Sequence, residues 1–114
     1  MEQGFIDILQ IMIKEQGKNV IFDISKCKAF LADYTKGEYK KESRLLLQTI
    51  DAKVPKAICD SNDLDICKKQ QIRLLHEDYD LILSAAADII DTLAFVLRGD
   101  TSKTAVHDSH EEKK

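Results

Sequence analysis

One proline, four glycines and no tryptophan in 114 residues leave little material for a turn-rich β fold. Glycine and proline punctuate chains that reverse direction often, so their scarcity favours packed helices. The three cysteines, Cys27, Cys59 and Cys67, are odd in number and have no C-x-x-C spacing, which argues against a disulfide framework or a zinc ribbon. We read them as small buried hydrophobes. Long apolar runs are missing too. The stretch from Phe5 to Ile13 is interrupted by Asp7 and Gln10 and preceded by Glu2, so it has neither a signal-peptide pattern nor the length to span a bilayer. The expectation is a cytoplasmic protein without membrane association.

Catalytic signatures are equally scarce. Neither Glu-x-x-His nor His-Glu-x-x-His occurs, which removes the usual ligands of a di-metal bundle or a zinc hydrolase. There is no glycine-rich phosphate loop and no nucleophile elbow. His107 and His110, with Asp108 and Glu111, lie in a polar stretch whose ordering would oppose metal binding. His76, followed by Glu77 and Asp78, reads as a helix-end histidine. We therefore expect no enzyme, no cofactor and no metal.

What the chain does contain is helical periodicity. From Glu2 to Glu15 the polar residues Asp7, Gln10 and Lys14 form one narrow stripe, leaving an apolar face broader than one neighbour needs. That helix packs into its own core, or part of the face, drawn from Ile6, Leu9, Met12 and Ile13, meets a second copy or a partner helix. Next, Ile24, Cys27, Leu31 and Tyr34 recur at three- and four-residue steps, with Asp23 or Ser25 as a cap. After a hinge at Lys36 and Gly37, Tyr39, Ser43, Leu46, Leu47 and Ile50 repeat the spacing, so the two segments form a helical hairpin. Lys40, Lys41, Glu42 and Arg44 fall on its outer face.

Pro55 opens a short helical turn to Cys59. A helix ending near Asp78 then places Lys68, Lys69 and Arg73 outward, and the most apolar segment, Ile82 to Arg98, reads as the central core helix. The expected architecture is an all-α, single-domain helical bundle of four long helices plus a short helix after Pro55. It covers residues 1–99 and is followed by a disordered polar tail at 100–114.

The run Phe30-Leu31-Ala32-Asp33-Tyr34, then Lys36-Gly37-Glu38-Tyr39, Lys41-Glu42, Leu45 to Leu47 and Val54-Pro55 resembles a small helical domain of bacterial proteins. The resemblance covers roughly Val20 to Gly99. Such domains are commonly appended to larger proteins of varied activity and have no assigned chemistry of their own, which implies a connector or docking role.

Charge points the same way. Lys26 to Arg73 holds eleven basic and seven acidic residues, whereas the flanks hold six and thirteen. The expected function is a noncatalytic protein-protein interaction or adaptor module for a partner that carries acidic groups. Its docking residues would be Lys36, Glu38, Lys40, Lys41 and Arg44, and self-association through the first helix is a further expectation. The alternative is a nucleic-acid-binding accessory factor on the same basic face, extended by Lys68, Lys69 and Arg73, with Tyr34 and Tyr39 as stacking rings.

Overall fold

A computed structural model of the chain describes residues 1–105, and among these all regular structure is helical. The helices are α1 (Gln3–Gln16), α2 (Ile24–Thr35), α3 (Lys40–Asp51), α4 (Val54–Asp60), α5 (Leu64–Asp78) and α6 (Leu83–Arg98), with a 3-10 turn at Lys18–Ile21. The all-α class agrees with the sequence reading; the count of four long helices does not. Five helices have twelve residues or more, since each of the five segments with helical periodicity, both arms of the Gly37 hairpin included, is a separate long helix. The short helix after the break is α4, with Pro55 in its first turn, where no intrahelical N–H is needed. None of these helices is long and apolar enough to cross a membrane.

Local chemistry sets the helix ends. Asp23 accepts from the Lys26 amide at 3.1 Å and opens α2, and Asp63 does the same for α5 through the Ile66 amide at 3.2 Å. The last carbonyls of α4 are capped from a distance: the Arg98 guanidinium donates to the Ile58 and Ser61 carbonyls at 2.9 and 2.8 Å. That contact ties the end of α6 to the α4–α5 corner.

The core forms around α6, which buries nine of its sixteen residues. Ile89, Ile90 and Leu93 meet Phe5, Leu9 and Met12 from α1, Leu46 from α3, Ile58 from α4 and Leu75 from α5 in one apolar cluster. Cys27 is wholly buried in the same cluster, and burial pushes its thiol pKa up to about 12. All three cysteines are free.

Lys68 is the largest departure from the sequence reading. Expected on the outer face of α5, it is only 2% exposed. Its ammonium lies 2.8 Å from Asp91 of α6 and 3.0 Å from Asp100, and donates to the Ser102 hydroxyl at 3.1 Å. Gly99, at φ +71°, turns the chain back so that Asp100 reaches this ammonium. Thr104 then bonds Asp91 twice, through its amide at 3.0 Å and its hydroxyl at 2.8 Å. Residues expected to begin a disordered tail are thus tied to α5 and α6. Positions 106–114, with His107 and His110, lie outside the described residues.

Burial alone would discharge Lys68, but its hydrogen bonds to Asp91 and Asp100 outweigh that and hold its pKa above the ordinary lysine value. The same bond to Lys68, aided by Ser102, lowers the Asp100 pKa. Removing the ammonium strands Asp91, so Lys68→Met is expected to cost about 3–5 kcal/mol, and adding Asp91→Leu to recover most of it, as read by urea denaturation. The pH dependence follows the two directions. The Asp100 contribution is complete above about pH 4 and drains as pH falls through its lowered folded pKa. The Lys68 contribution is complete below about pH 10 and drains as pH rises through its raised one. In a Tm-against-pH series, Asp100→Asn flattens the acid limb and Lys68→Met the alkaline limb as well.

Candidate functional site

The α2–α3 corner determines what α3 shows to solvent. Thr35 closes α2, its buried hydroxyl donating to the Leu31 carbonyl at 2.7 Å. Lys36, Gly37 and Tyr39 then all take positive φ, at 54°, 87° and 58°. For the two residues with a Cβ this is a left-handed conformation costing roughly 1–2 kcal/mol each, so something outside the corner must hold it.

The Tyr39 side chain does so. Its ring packs 5.8 Å from Phe5, centroid to centroid, and its hydroxyl lies against Gly4, where a Cβ would sit 2.0 Å from the phenolic oxygen. Gly4 is therefore the notch in α1 that receives the start of α3. With that start held, the 100° step of the helix assigns the other faces. Leu46, Thr49 and Ile50 face the core, while Lys40, Ser43, Arg44 and Leu47 turn toward α2. Lys41, Arg44, Leu45 and Gln48 turn toward the beginning of α6.

Two grooves flank α3 in consequence. The larger, of about 540 Å³, has Met1, Leu45, Leu81 and Ala85 as apolar lining and Glu2, Lys41, Glu42, Arg44, Asp88 and the Met1 ammonium, paired with Asp88 at 2.6 Å, as charged lining. The smaller, of about 330 Å³, lies between α2 and α3 over Leu31, Ala32 and Leu47, with Lys28, Glu38, Lys40 and Arg44 around it. Arg44 stands on the ridge and lines both. Among the described residues, no ion pair engages Lys36, Lys40, Lys41 or Arg44.

The five proposed docking residues are all exposed, and the structure gathers four of them around the grooves: Glu38 and Lys40 on the α2 side, Lys41 on the other, Arg44 between. Lys36 sits at the corner and lines neither groove. Lys28 is the rim residue that sequence reasoning missed. Only the folding of α2 back along α3 brings it near Arg44, and no local pattern announces that.

Other sequence-derived surfaces change. The basic extension through α5 loses Lys68 to the interior and keeps Lys69 and Arg73, which is 4.0 Å from Glu77. Tyr34 is engaged by Glu15, which accepts from its hydroxyl and pushes the phenol pKa up. On α1 the proposed oligomer face does not survive intact. Leu9 and Met12 are wholly buried in the chain's own core, and Ile6 and Ile13 are half-buried. The helix covers its broad apolar face with α2, the 3-10 turn and α6, leaving Ile11, 47% exposed, as its large apolar surface residue.

Compared with protein-family models, curated proteins and solved structures, the sequence matches none of them.

A double-mutant cycle tests the notch that orients α3. Gly4→Ala alone is expected to destabilise by about 1–3 kcal/mol, since the methyl and the Tyr39 phenol claim one space. In a Tyr39→Ala background the same substitution becomes neutral or stabilising by up to about 1 kcal/mol, the helix-propensity gain of alanine over glycine. An unchanged sign in urea titrations of the four proteins refutes the notch.

Proposed function

We propose that the protein is a noncatalytic protein-interaction module whose docking surface is the outer ridge of α3. The observation that carries this reading is the arrangement of Lys40, Lys41 and Arg44 on one helix. They are exposed, lack ion-pair partners among the described residues, and stand beside grooves with apolar linings. Apolar lining supplies area to bury and the cations choose the partner, the usual division in transient interfaces. The strained corner supports the reading, because a costly backbone is held in place by packing rather than relaxed away.

A nucleic-acid accessory role places different demands on the same face. It needs rings free to stack and an uninterrupted basic track. Tyr39 is packed against Gly4 and Phe5, Tyr34 is bonded to Glu15, and Glu38 and Glu42 interrupt the track. The protein-docking reading is the better supported of the two.

The test is an affinity capture from native lysate, with and without nuclease. It compares the parent chain, a variant with Lys36, Lys40, Lys41 and Arg44 changed to Glu, and a control with Lys69→Glu and Arg73→Glu on α5. Circular dichroism verifies folding of each. The expected result is a protein that survives nuclease, is lost with the α3 variant and is kept by the α5 control. Capture unaffected by the α3 variant overturns the assignment. Recovery of nucleic acid, with affinity falling steeply in added salt, transfers it to the alternative.

A further inference from the structure

We propose that the α2–α3 groove, rather than the larger one on the other side of the ridge, receives the partner, and that the occupant is an acidic amphipathic helix. This rests on the docking reading of the α3 face and makes it specific.

Charge separates the two grooves. The larger sets Lys41, Arg44 and the Met1 ammonium, 2.6 Å from Asp88, against Glu2, Glu42 and Asp88, with no net charge. The smaller sets Lys28, Lys40 and Arg44 against Glu38 alone, an excess of two positive charges. Lys28 and Lys40, like Arg44, join no ion pair among the described residues, so an incoming carboxylate displaces no internal partner. Between these cations lie Leu31, Ala32 and Leu47, with Leu47 half-buried. A complementary surface therefore alternates apolar contacts with acids to either side. A nucleic-acid strand brings the negative charge without the aliphatic stripe.

Geometry selects a helix as the form of that surface. No strand occurs among the described residues, so an extended peptide finds no sheet edge on which to add. α2 and α3 are hairpin neighbours of twelve residues each, about 18 Å long. The furrow between two such helices takes the ridge of a third, with anchors at i, i+3, i+4 and i+7. At about 330 Å³ it stands near the lower bound for an enclosed small-molecule pocket. A row of side chains from a helix laid across it suits that volume. Exposed charge pairs are screened by solvent and contribute little each, so the apolar contacts supply affinity and the rim supplies selectivity.

The probe is a synthetic, fluorescein-labelled helix of about four turns, with Leu at i, i+3, i+4 and i+7 and Glu flanking them, titrated by anisotropy. Its counterpart carries Lys in place of every Glu. The acidic probe is expected to bind and the lysine probe to fail. Reversing two rim charges with Lys28→Glu and Lys40→Glu weakens binding about tenfold, whereas Gln48→Glu with Ala85→Glu, which line the other groove, changes it less than about twofold. Thermal melts verify that both variants remain folded.

If only the Gln48 and Ala85 variant loses the probe, the groove assignment is overturned while the docking reading stands. Equal binding of the lysine probe overturns the acidic chemistry. Should neither probe bind while a captured partner still depends on the α3 charges, the helical occupant is wrong and the docking reading survives. Acidic-probe binding that neither variant alters, with capture also insensitive to the α3 charges, overturns both.

Discussion

The Lys68 ammonium is the interaction on which the α5–α6 half of the molecule depends. It is an ion placed between two helices that otherwise meet through aliphatic side chains, and desolvating it is offset only because Asp91, Asp100 and Ser102 all reach it. Such a cluster adds little net stability compared with a well-packed apolar substitute. Its effect is geometric. Asp91 fixes the register of α5 on α6, and Asp100 and Thr104 bind the chain after Gly99 to the helices it has just left. Arg98, one residue before that turn, binds the end of α4 as well, so the last turn of α6 gathers three parts of the fold.

At the other side of the core the constraint is steric. The α2–α3 corner holds two residues with side chains in left-handed backbone, and it does so because Tyr39 has a socket at Gly4 and Phe5. That socket sets the rotation of α3 about its own axis. A rotation by one residue would turn Leu46 and Ile50 from the core and bring Lys41 or Arg44 toward it. The exposed cations are thus a consequence of a packing contact made on the far face of the corner.

These two arrangements give the molecule different kinds of surface. Around Lys68 the charges are satisfied internally and buried. Along α3 the cations are exposed, without ion-pair partners among the described residues, and set beside apolar grooves. Charges of the first kind hold a fold together, and charges of the second kind remain available to another molecule. The functional proposal follows that distinction rather than the overall charge, which is -3 and would by itself suggest nothing basic at all.

Much of this was readable from local pattern. The helical class, the hinge near Gly37, a cap for α2 at Asp23 or Ser25, the short helix at Pro55 and the central position of α6 all follow from three- and four-residue periodicity, from capping chemistry and from the backbone limits of glycine and proline. Exposure of Lys40, Lys41 and Arg44 followed from the same periodicity. Lys68 shows where local pattern stops. It lies four residues after Leu64 and four before Ile72, on the apolar stripe by spacing, yet lysine is a residue that ordinarily stays in water. Spacing and residue chemistry gave opposite answers, and only the arrival of Asp91 and Asp100, 23 and 32 positions away, decides for burial. The burial of Leu9 and Met12, the notch at Gly4 and the joining of Lys28 to Arg44 are of the same kind. The sequence by itself determined which segments are helices and which face of each is apolar, because those depend on neighbours within one turn. Which apolar face meets which, and which charges are left over, was decided by tertiary packing, because those depend on residues that approach one another only after the helices have docked.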